Sequence, residues 1–100
     1  MKPVIALDQC HRGGGTFVEI DDRELAVFLD DDGELVVVSD NTCPHSSGNL
    51  SAGEVAGACI VCPLHQWEFD IKTGLCTDSP KARVKIYQAE VRDGSVWVAV

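Results

Sequence analysis

The 100-residue sequence predicts a single all-β domain. Its apolar residues alternate with polar ones or fall in short β-branched runs, and no stretch carries the 3.6-residue period of an amphipathic helix. Turn signals recur roughly every 8–12 residues, a spacing typical of β-sandwiches and barrels. At 45% hydrophobic residues the chain can fill one ordinary core, and it is too short for two. We therefore expect residues 1–100 to form one domain.

Three strands are predicted in the first half of the chain. Short runs rich in Val, Leu, Ile and Phe cover residues 16–20, 25–29 and 34–38. The turn at residues 30–33 ends in Asp-Gly, which suits a tight hairpin between the last two of these strands. Residues 39–55 carry no strand pattern, and a loop of that length in a compact domain is usually functional.

The second half of the chain also predicts strands separated by turns, and these strands are shorter. Two strands are expected at residues 58–61 and 67–71, followed by a turn at residues 72–74. The final hairpin should use residues 84–87, 90–91 and 96–98, with Asp93-Gly94 as its turn.

The charge narrows the range of partners. Sixteen acidic residues against eight basic ones give a formal net charge of −8, which disfavours nucleic acid and anionic lipid. A basic docking face on another protein is the favoured kind of partner, because opposite fields steer encounter. The N-terminal apolar stretch is too short for a signal peptide, and no segment could span a bilayer. We expect a cytosolic protein whose five cysteines are thiols or metal ligands.

Two clusters of cysteine and histidine are the strongest chemical signal. One is Cys43-Pro44-His45, inside the long loop, and the other is Cys62-Pro63-Leu64-His65, between two predicted strands. Each cluster places one thiolate and one imidazole on a tight turn that a proline stiffens. Two such loops that meet tip to tip would supply four metal ligands.

Three interpretations of these four residues compete. They could be ordinary core thiols and surface imidazoles, although two matched pairs are improbable by chance. They could hold a structural zinc ion, and Cys59 even forms a Cys-x-x-Cys with Cys62. Zinc, however, normally organises a domain that lacks its own core. The third possibility is a 2Fe–2S cluster with two thiolates on one iron and two imidazoles on the other.

Residues 43–74 resemble the double box of Rieske proteins, and the resemblance extends more loosely over nearly the whole chain. It implies an antiparallel β-sandwich with a cluster-binding subdomain of two loops, at about residues 40–80. It also implies one 2Fe–2S cluster per chain, held by Cys43, His45, Cys62 and His65, with Ser79-Pro80 on a third, shielding loop. Departures from the family pattern occur beside these ligands, at Ser46, Ser47, Asn49 and Gln66.

The mixed ligand set has a consequence for the reduction potential. Two neutral imidazoles in place of two thiolates leave the oxidised site neutral, which raises its potential to about −150 to +300 mV. The high-potential members of the family carry an extra cysteine in each box, where this chain has Gly48 and Leu64. They also place hydroxyl groups at the positions of Trp67 and Phe69, neither of which donates O–H. We therefore expect a potential near the bottom of the window.

The resemblance implies an electron carrier and not an enzyme. An oxygenase would need two further histidines and a carboxylate for a mononuclear iron, and only His11 is left over. Two kinds of member fit: a ferredoxin that passes electrons from a flavin reductase to a terminal oxygenase, and the small subunit of NAD(P)H-dependent nitrite reductase, which joins a large subunit. A zinc-stabilised binding module without redox function is the remaining alternative.

Secondary expectations concern the docking surface and the other cysteines. The exposed edge of the cluster implies docking around His45 and His65, with Trp67 serving either docking or packing. Cys59 should pack within its strand, and Cys76, just after a turn, should be an exposed thiol.

Overall fold

The computed structural model describes residues 1–30, 32, 35–44, 48–64, 66–77 and 82–99, and the regular secondary structure within them is almost entirely β-strand. Two short 3₁₀ turns, Leu7–Gln9 and Leu50–Ala52, are its helical elements. Within these residues no helix has both the length and the apolar character needed to cross a bilayer. The strands are β1 (Lys2–Ala6), β2 (Gly15–Ile20), β3 (Arg23–Leu29), β4 (Val36–Asp40), β5 (Glu54–Ala56), β6 (Cys59–Val61), β7 (Glu68–Asp70), β8 (Ile86–Tyr87), β9 (Ala89–Arg92) and β10 (Ser95–Val98).

The largest sheet is antiparallel, with the strand order β2-β3-β4-β8. Its second strand, β3, is buried on both faces, which explains why its sequence is a continuous apolar run from Leu25 to Leu29. Leu25 and Val27 face one buried cluster, whereas Ala26 and Phe28 face another. The sheet therefore separates two cores.

The first of these clusters, here called the sandwich core, lies between this sheet and a second antiparallel sheet of order β1-β10-β9. Residues from both sheets contribute to it, as expected for a β-sandwich. Its buried members are Val18, Leu25, Val27, Val38, Tyr87, Val96 and Val98.

The other cluster, here called the loop-side core, lies on the opposite face, where a small antiparallel sheet of order β5-β6-β7 is found. It contains three of the five cysteines, which makes it the part of the fold relevant to metal binding. Its buried members are Ala26, Phe28, Val37, Cys43, Leu50, Ile60, Cys62, Phe69, Cys76 and Val84.

The structure confirms the all-β prediction and most of the predicted strands, with two kinds of difference. β4 covers Val36–Asp40, so it begins and ends two residues later than predicted. The reason is that the Asp30 N–H donates a hydrogen bond to the Leu35 carbonyl, which closes the hairpin before β4 begins. The turn residues 31, 33 and 34 lie outside the described residues. β1 and β5 were not predicted: β1 pairs with β10 at the far end of the sequence, and β5 has only three residues.

Candidate metal centre

Two loops of the loop-side core begin with a buried cysteine and close in the same way. The first cysteine loop (residues 43–48) starts at Cys43, which is 1% exposed, and the second (residues 62–67) starts at Cys62, which is 0% exposed. The Cys43 N–H donates to the Gly48 carbonyl over 2.8 Å, and the Cys62 N–H donates to the Trp67 carbonyl over 2.8 Å. Both loops therefore have the same length and the same backbone closure.

The second cysteine loop is the connection between two paired strands. β6 and β7 pair in antiparallel register up to Val61 and Glu68, which fixes both ends of the loop. Near its end Gln66 has a φ of 54°, in the left-handed region that favours glycine. This conformation gives a physical reason for the glycine that the family often has at the position of Gln66.

The first cysteine loop leaves the end of β4 and is held by Asn41, which is 1% exposed. The Asn41 carbonyl accepts the Leu50 N–H over 2.6 Å, and its side-chain Oδ1 accepts the Ser51 N–H over 3.0 Å. Its Nδ2 donates to Oδ1 of Asn49 over 3.1 Å. Sequence reasoning missed Asn41, because an asparagine within a polar run gives no sign of burial.

Gly53 lets the chain that follows the first cysteine loop lie directly against the start of the second. A Cβ atom on Gly53 would stand 2.1 Å from the Val61 carbonyl oxygen and 3.1 Å from Cδ of Pro63. It would also stand 3.2 Å from the Leu50 carbonyl oxygen. The segment after the first cysteine loop can lie this close to the start of the second only because position 53 has no side chain.

Cys76 is buried in the same core, contrary to the prediction that it is an exposed thiol. It is 4% exposed, and it forms an isolated β-bridge with Phe69. Its N–H donates to the Ala82 carbonyl over 3.0 Å, so the chain is drawn inward immediately after the turn at Gly74. Ser79 and Pro80, which the resemblance places on a shielding loop, lie outside the described residues.

The remaining two cysteines lie away from the loop-side core. Cys59 is half-buried in β6, and its pKa is raised by desolvation first and then by the charges of Glu68 and Asp70. Cys10 is half-buried near the N-terminus, and burial and Asp8 raise its pKa. A raised pKa keeps a thiol protonated, which makes it a poorer metal ligand. The zinc interpretation therefore gains nothing from the Cys-x-x-Cys that Cys59 begins.

The described residues supply the thiol half of the candidate site. The two predicted imidazole ligands, His45 and His65, lie outside them, as do Ser46 and Ser47. Among the residues that are described, no three histidine, cysteine or acidic side chains are grouped to hold a metal ion. Two buried thiols on matched loops nevertheless fit an iron–sulfur cluster, which takes cysteine thiolates as ligands.

The described residues of the two cysteine loops carry no charged side chain, and the exposed Glu54 lines a surface pocket together with Cys62 and Pro63. Pro44, Pro63 and Gln66 are exposed, and Leu64 is 45% exposed despite its large apolar side chain. Trp67 is partly buried and packs against the loop-side core, which favours packing over docking as its main role.

Comparison with known proteins agrees with this geometry. The family model described as "Rieske [2Fe-2S] domain" matches residues 1–88. The ferredoxin component of the naphthalene 1,2-dioxygenase system of Pseudomonas putida is 33% identical over 95 residues, which covers 94% of this chain and 89% of the relative. Among solved structures, the NADH-dependent nitrite reductase small subunit from Mycobacterium tuberculosis is similar with a TM-score of 0.85 and 30% identity. That similarity covers 97% of this chain and 91% of the neighbour.

Similarity also extends to much longer proteins. The cholesterol 7-desaturase of Hemicentrotus pulcherrimus is 36% identical over 98 residues. The match covers 94% of this chain and only 21% of the desaturase. The domain therefore occurs both in chains of this size and as a fraction of larger proteins.

Proposed function

Because this chain belongs to the Rieske 2Fe–2S family, we propose that it is a one-electron carrier whose cluster is bound by Cys43, His45, Cys62 and His65. The cofactor of this family is a 2Fe–2S cluster, which accepts and donates single electrons when it is bound. The observation that carries the ligand assignment is the matched pair of loops, each of which opens with a buried cysteine and contains a histidine.

The residues around the loops support a low reduction potential for a Rieske centre. Trp67 and Phe69 stand where high-potential family members have hydroxyl groups, and both belong to or pack against the loop-side core. Neither side chain offers an O–H to a cluster sulfur, and hydrogen bonds of that kind raise the potential. We place the midpoint potential at the lower end of the window, around −150 mV.

The surface near the loops supports a docking role. From residue 41 to residue 67, Glu54 is the single Asp, Glu, Lys or Arg in the sequence. An uncharged tip with the exposed Leu64 suits close contact with a partner, because little desolvation of charge is needed there. Outside this segment acidic residues outnumber basic ones and give nearly all of the net charge of −8, which would steer a basic partner face toward the carrier.

As its role we propose the ferredoxin component of an oxygenase system, which receives electrons from a flavin reductase and delivers them to a terminal oxygenase. The similarity to the naphthalene dioxygenase ferredoxin supports this role, because it covers nearly the full length of both chains. In this proposal residues 1–100 act as one non-catalytic domain, and neither nucleic acid nor membrane is a partner. Cluster assembly on cysteine requires reduced thiols, which fits the cytosolic location expected from the sequence.

A second candidate is the small subunit of nitrite reductase, bound to its large subunit. The similarity to the Mycobacterium tuberculosis protein favours it, since that structure also matches over nearly its whole length. A zinc-stabilised module is less favoured, because the sandwich core and the loop-side core give the domain its own apolar interior.

The two redox roles differ in the protein that accepts the electron from this chain. If the chain is a ferredoxin component, a ring-hydroxylating oxygenase that is purified without its own ferredoxin should reoxidise the reduced, cluster-loaded chain in a single-turnover mixing experiment. Reoxidation by a sirohaem nitrite reductase large subunit, without reoxidation by the oxygenase, would support the second candidate instead. A chain that takes up no iron and sulfide in anaerobic reconstitution with iron, sulfide and reductant, but that binds zinc in a separate titration, would overturn both redox roles.

A further inference from the structure

We propose that Asn41 is the positioning residue that keeps the first cysteine loop closed, and that it thereby sets how fast the cluster is lost. The inference rests on the proposed function, since it assumes that Cys43 is a cluster ligand. It concerns a residue two positions before Cys43 that the family resemblance gives no role.

All the polar groups of Asn41 are engaged. Its N–H donates to the Glu24 carbonyl of β3 over 3.0 Å, which anchors it to the largest sheet. Its carbonyl and Oδ1 accept the N–H groups of Leu50 and Ser51, the first two residues of the 3₁₀ turn after the loop. Its Nδ2 donates to Oδ1 of Asn49, the residue directly after the loop. Two of these bonds are made by the backbone of Asn41 and two by its buried side chain, and the side-chain bonds join the residue that enters the loop to the segment that follows it.

The two cysteine loops differ in how much they need such a connection. The second lies between β6 and β7, which share three consecutive residue pairs. At the base of the first, a single isolated bridge joins Thr42 and Asn49. Because a single bridge is a weak closure, the hydrogen bonds of Asn41 supply the order that a strand ladder supplies to the second loop.

Asparagine is suited to this position because it offers both a donor and an acceptor. Leucine has the same heavy-atom branching as asparagine, although its methyl groups are larger, and it would leave the Ser51 N–H without its acceptor. Aspartate would accept from Ser51 but could not donate to Asn49. An unsatisfied group at a buried position favours opening of the segment, because water then restores the lost hydrogen bond.

Opening of the first cysteine loop would admit water and chelator to Cys43, which is otherwise 1% exposed. Cluster loss should therefore begin at this loop, and it should accelerate when Asn41 or its partner is altered. Asn49 provides a milder variant, since its side chain is exposed and accepts the hydrogen bond from Asn41.

The experiment measures the bleaching of the visible absorbance of the oxidised cluster in excess EDTA, which binds ferric iron, well below the unfolding temperature. We expect Asn41→Leu to bleach about tenfold faster than the parent protein and Asn49→Ala about threefold faster, since each loses buried or partly buried hydrogen bonds. Asn49→Asp retains an acceptor for Nδ2 of Asn41 and should bleach at close to the parent rate.

Ser39→Ala is the matched control. Ser39 and Asn41 are the two buried polar residues of the described chain, and the Ser39 hydroxyl donates to the Asp40 carbonyl over 2.9 Å, a bond within β4 that involves no residue of the loop or of the 3₁₀ turn after it. This variant should have a lower thermal midpoint than the parent with an unchanged bleaching rate. A merely structural role of Asn41 would make bleaching follow the thermal midpoint in every variant, and that result would overturn the inference.

Failure of the proposed function and failure of the role of Asn41 give different experimental results. A parent protein that never acquires iron and colour contradicts the proposed function. A coloured parent whose Asn49→Ala variant bleaches at the parent rate contradicts the role of Asn41 and leaves the proposed function standing. Should Asn41→Leu not fold, the pair Asn49→Ala and Asn49→Asp still decides, because both changes are at an exposed position.

Discussion

The hydroxyl of Tyr87 donates a hydrogen bond to Oδ1 of Asp40 over 2.5 Å, and it thereby fastens β8 to the end of β4, directly before Asn41. Nη1 of Arg23 approaches the same hydroxyl at 3.4 Å, and the Lys85 ammonium lies 4.8 Å from the ring centroid. Burial is the largest cause that raises the pKa of Tyr87; the hydrogen bond to Asp40 adds to it, and Arg23 opposes it.

This arrangement predicts a loss of stability at alkaline pH. In the folded protein the pKa of Tyr87 lies above its ordinary value of 10.0. The contribution of the protonated hydroxyl to the free energy of unfolding is therefore fully present below pH 10, and it declines as the pH rises through the folded pKa. Tyr87 is the only tyrosine of the chain, so the ultraviolet absorbance of tyrosinate reports its titration directly.

Tyr87→Phe is the control for that titration. It should lower the free energy of unfolding at neutral pH by about 1 kcal/mol through the lost hydrogen bond. It should also flatten the decline above pH 10, as measured by urea unfolding across the alkaline range. A pKa of Tyr87 below 10 in the folded protein would contradict the expected upward shift.

Gly53→Ala should separate the two cysteine loops. The added methyl group would meet the Val61 carbonyl oxygen at 2.1 Å, and this backbone atom cannot move without breaking the β5-β6 pairing. We expect a loss of about 3 kcal/mol in unfolding free energy, in the range of severe overpacking, together with a lower iron content.

Gly14→Ala is the matched substitution for Gly53→Ala. Its Cβ would lie 3.5 Å from the nearest atom, the Gly53 carbonyl oxygen, which is an ordinary contact. Thermal unfolding and iron analysis of both variants test the argument. Equal effects of the two substitutions would show that the close approach at Gly53 does not matter.

The ligand assignment predicts a sharp division among the cysteines. Cys43→Ser and Cys62→Ser should each abolish or severely reduce the bound cluster, because a hydroxyl is a poor substitute for a thiolate on iron. Cys59→Ser should retain the full cluster, since Cys59 lies outside the loop-side core. Iron and sulfide content per chain measures the result. Full loading of the Cys62 variant would contradict the assignment.

The raised pKa of Cys59 predicts slow alkylation that depends on a neighbour. Desolvation raises this pKa most, and the negative charge of Glu68 raises it further. Removal of that charge in Glu68→Gln should lower the pKa, increase the thiolate fraction at a given pH and accelerate reaction with iodoacetamide.

Cys10 is the internal control for this measurement. Burial and Asp8 raise its pKa, without a contribution from Glu68. Peptide mass spectrometry after timed alkylation should therefore show a change at Cys59 and an unchanged rate at Cys10. Equal acceleration at both cysteines would indicate general loosening of the fold instead of an electrostatic effect.

Local patterns were enough to predict the features whose cause is local. The apolar run of β3 reflects burial on both faces, and Asp93-Gly94 adopts positive φ at both residues, as a tight hairpin turn of this type requires. The two cysteine loops could be found because each thiol and its histidine are close in sequence.

Features that depend on distant contacts could not be predicted in this way. β1 is a strand because it pairs with β10, more than 90 residues away in several pairs, and Cys76 is buried because it bridges to Phe69. The roles of Asn41 and Gly53 follow from which backbone atoms surround them in the fold. No sequence period encodes either role.

Pulsed electron paramagnetic resonance of the reduced protein, with its histidines labelled with nitrogen-15, tests the central claim most directly. The chain has three histidines, so His11→Ala serves as the control and should leave the spectrum unchanged. We predict hyperfine coupling to two histidine nitrogens, which is lost when His45 and His65 are replaced. A paramagnetic cluster without nitrogen coupling, or a metal-loaded protein without any signal after reduction, would contradict the claim that two thiolates and two imidazoles bind the cluster.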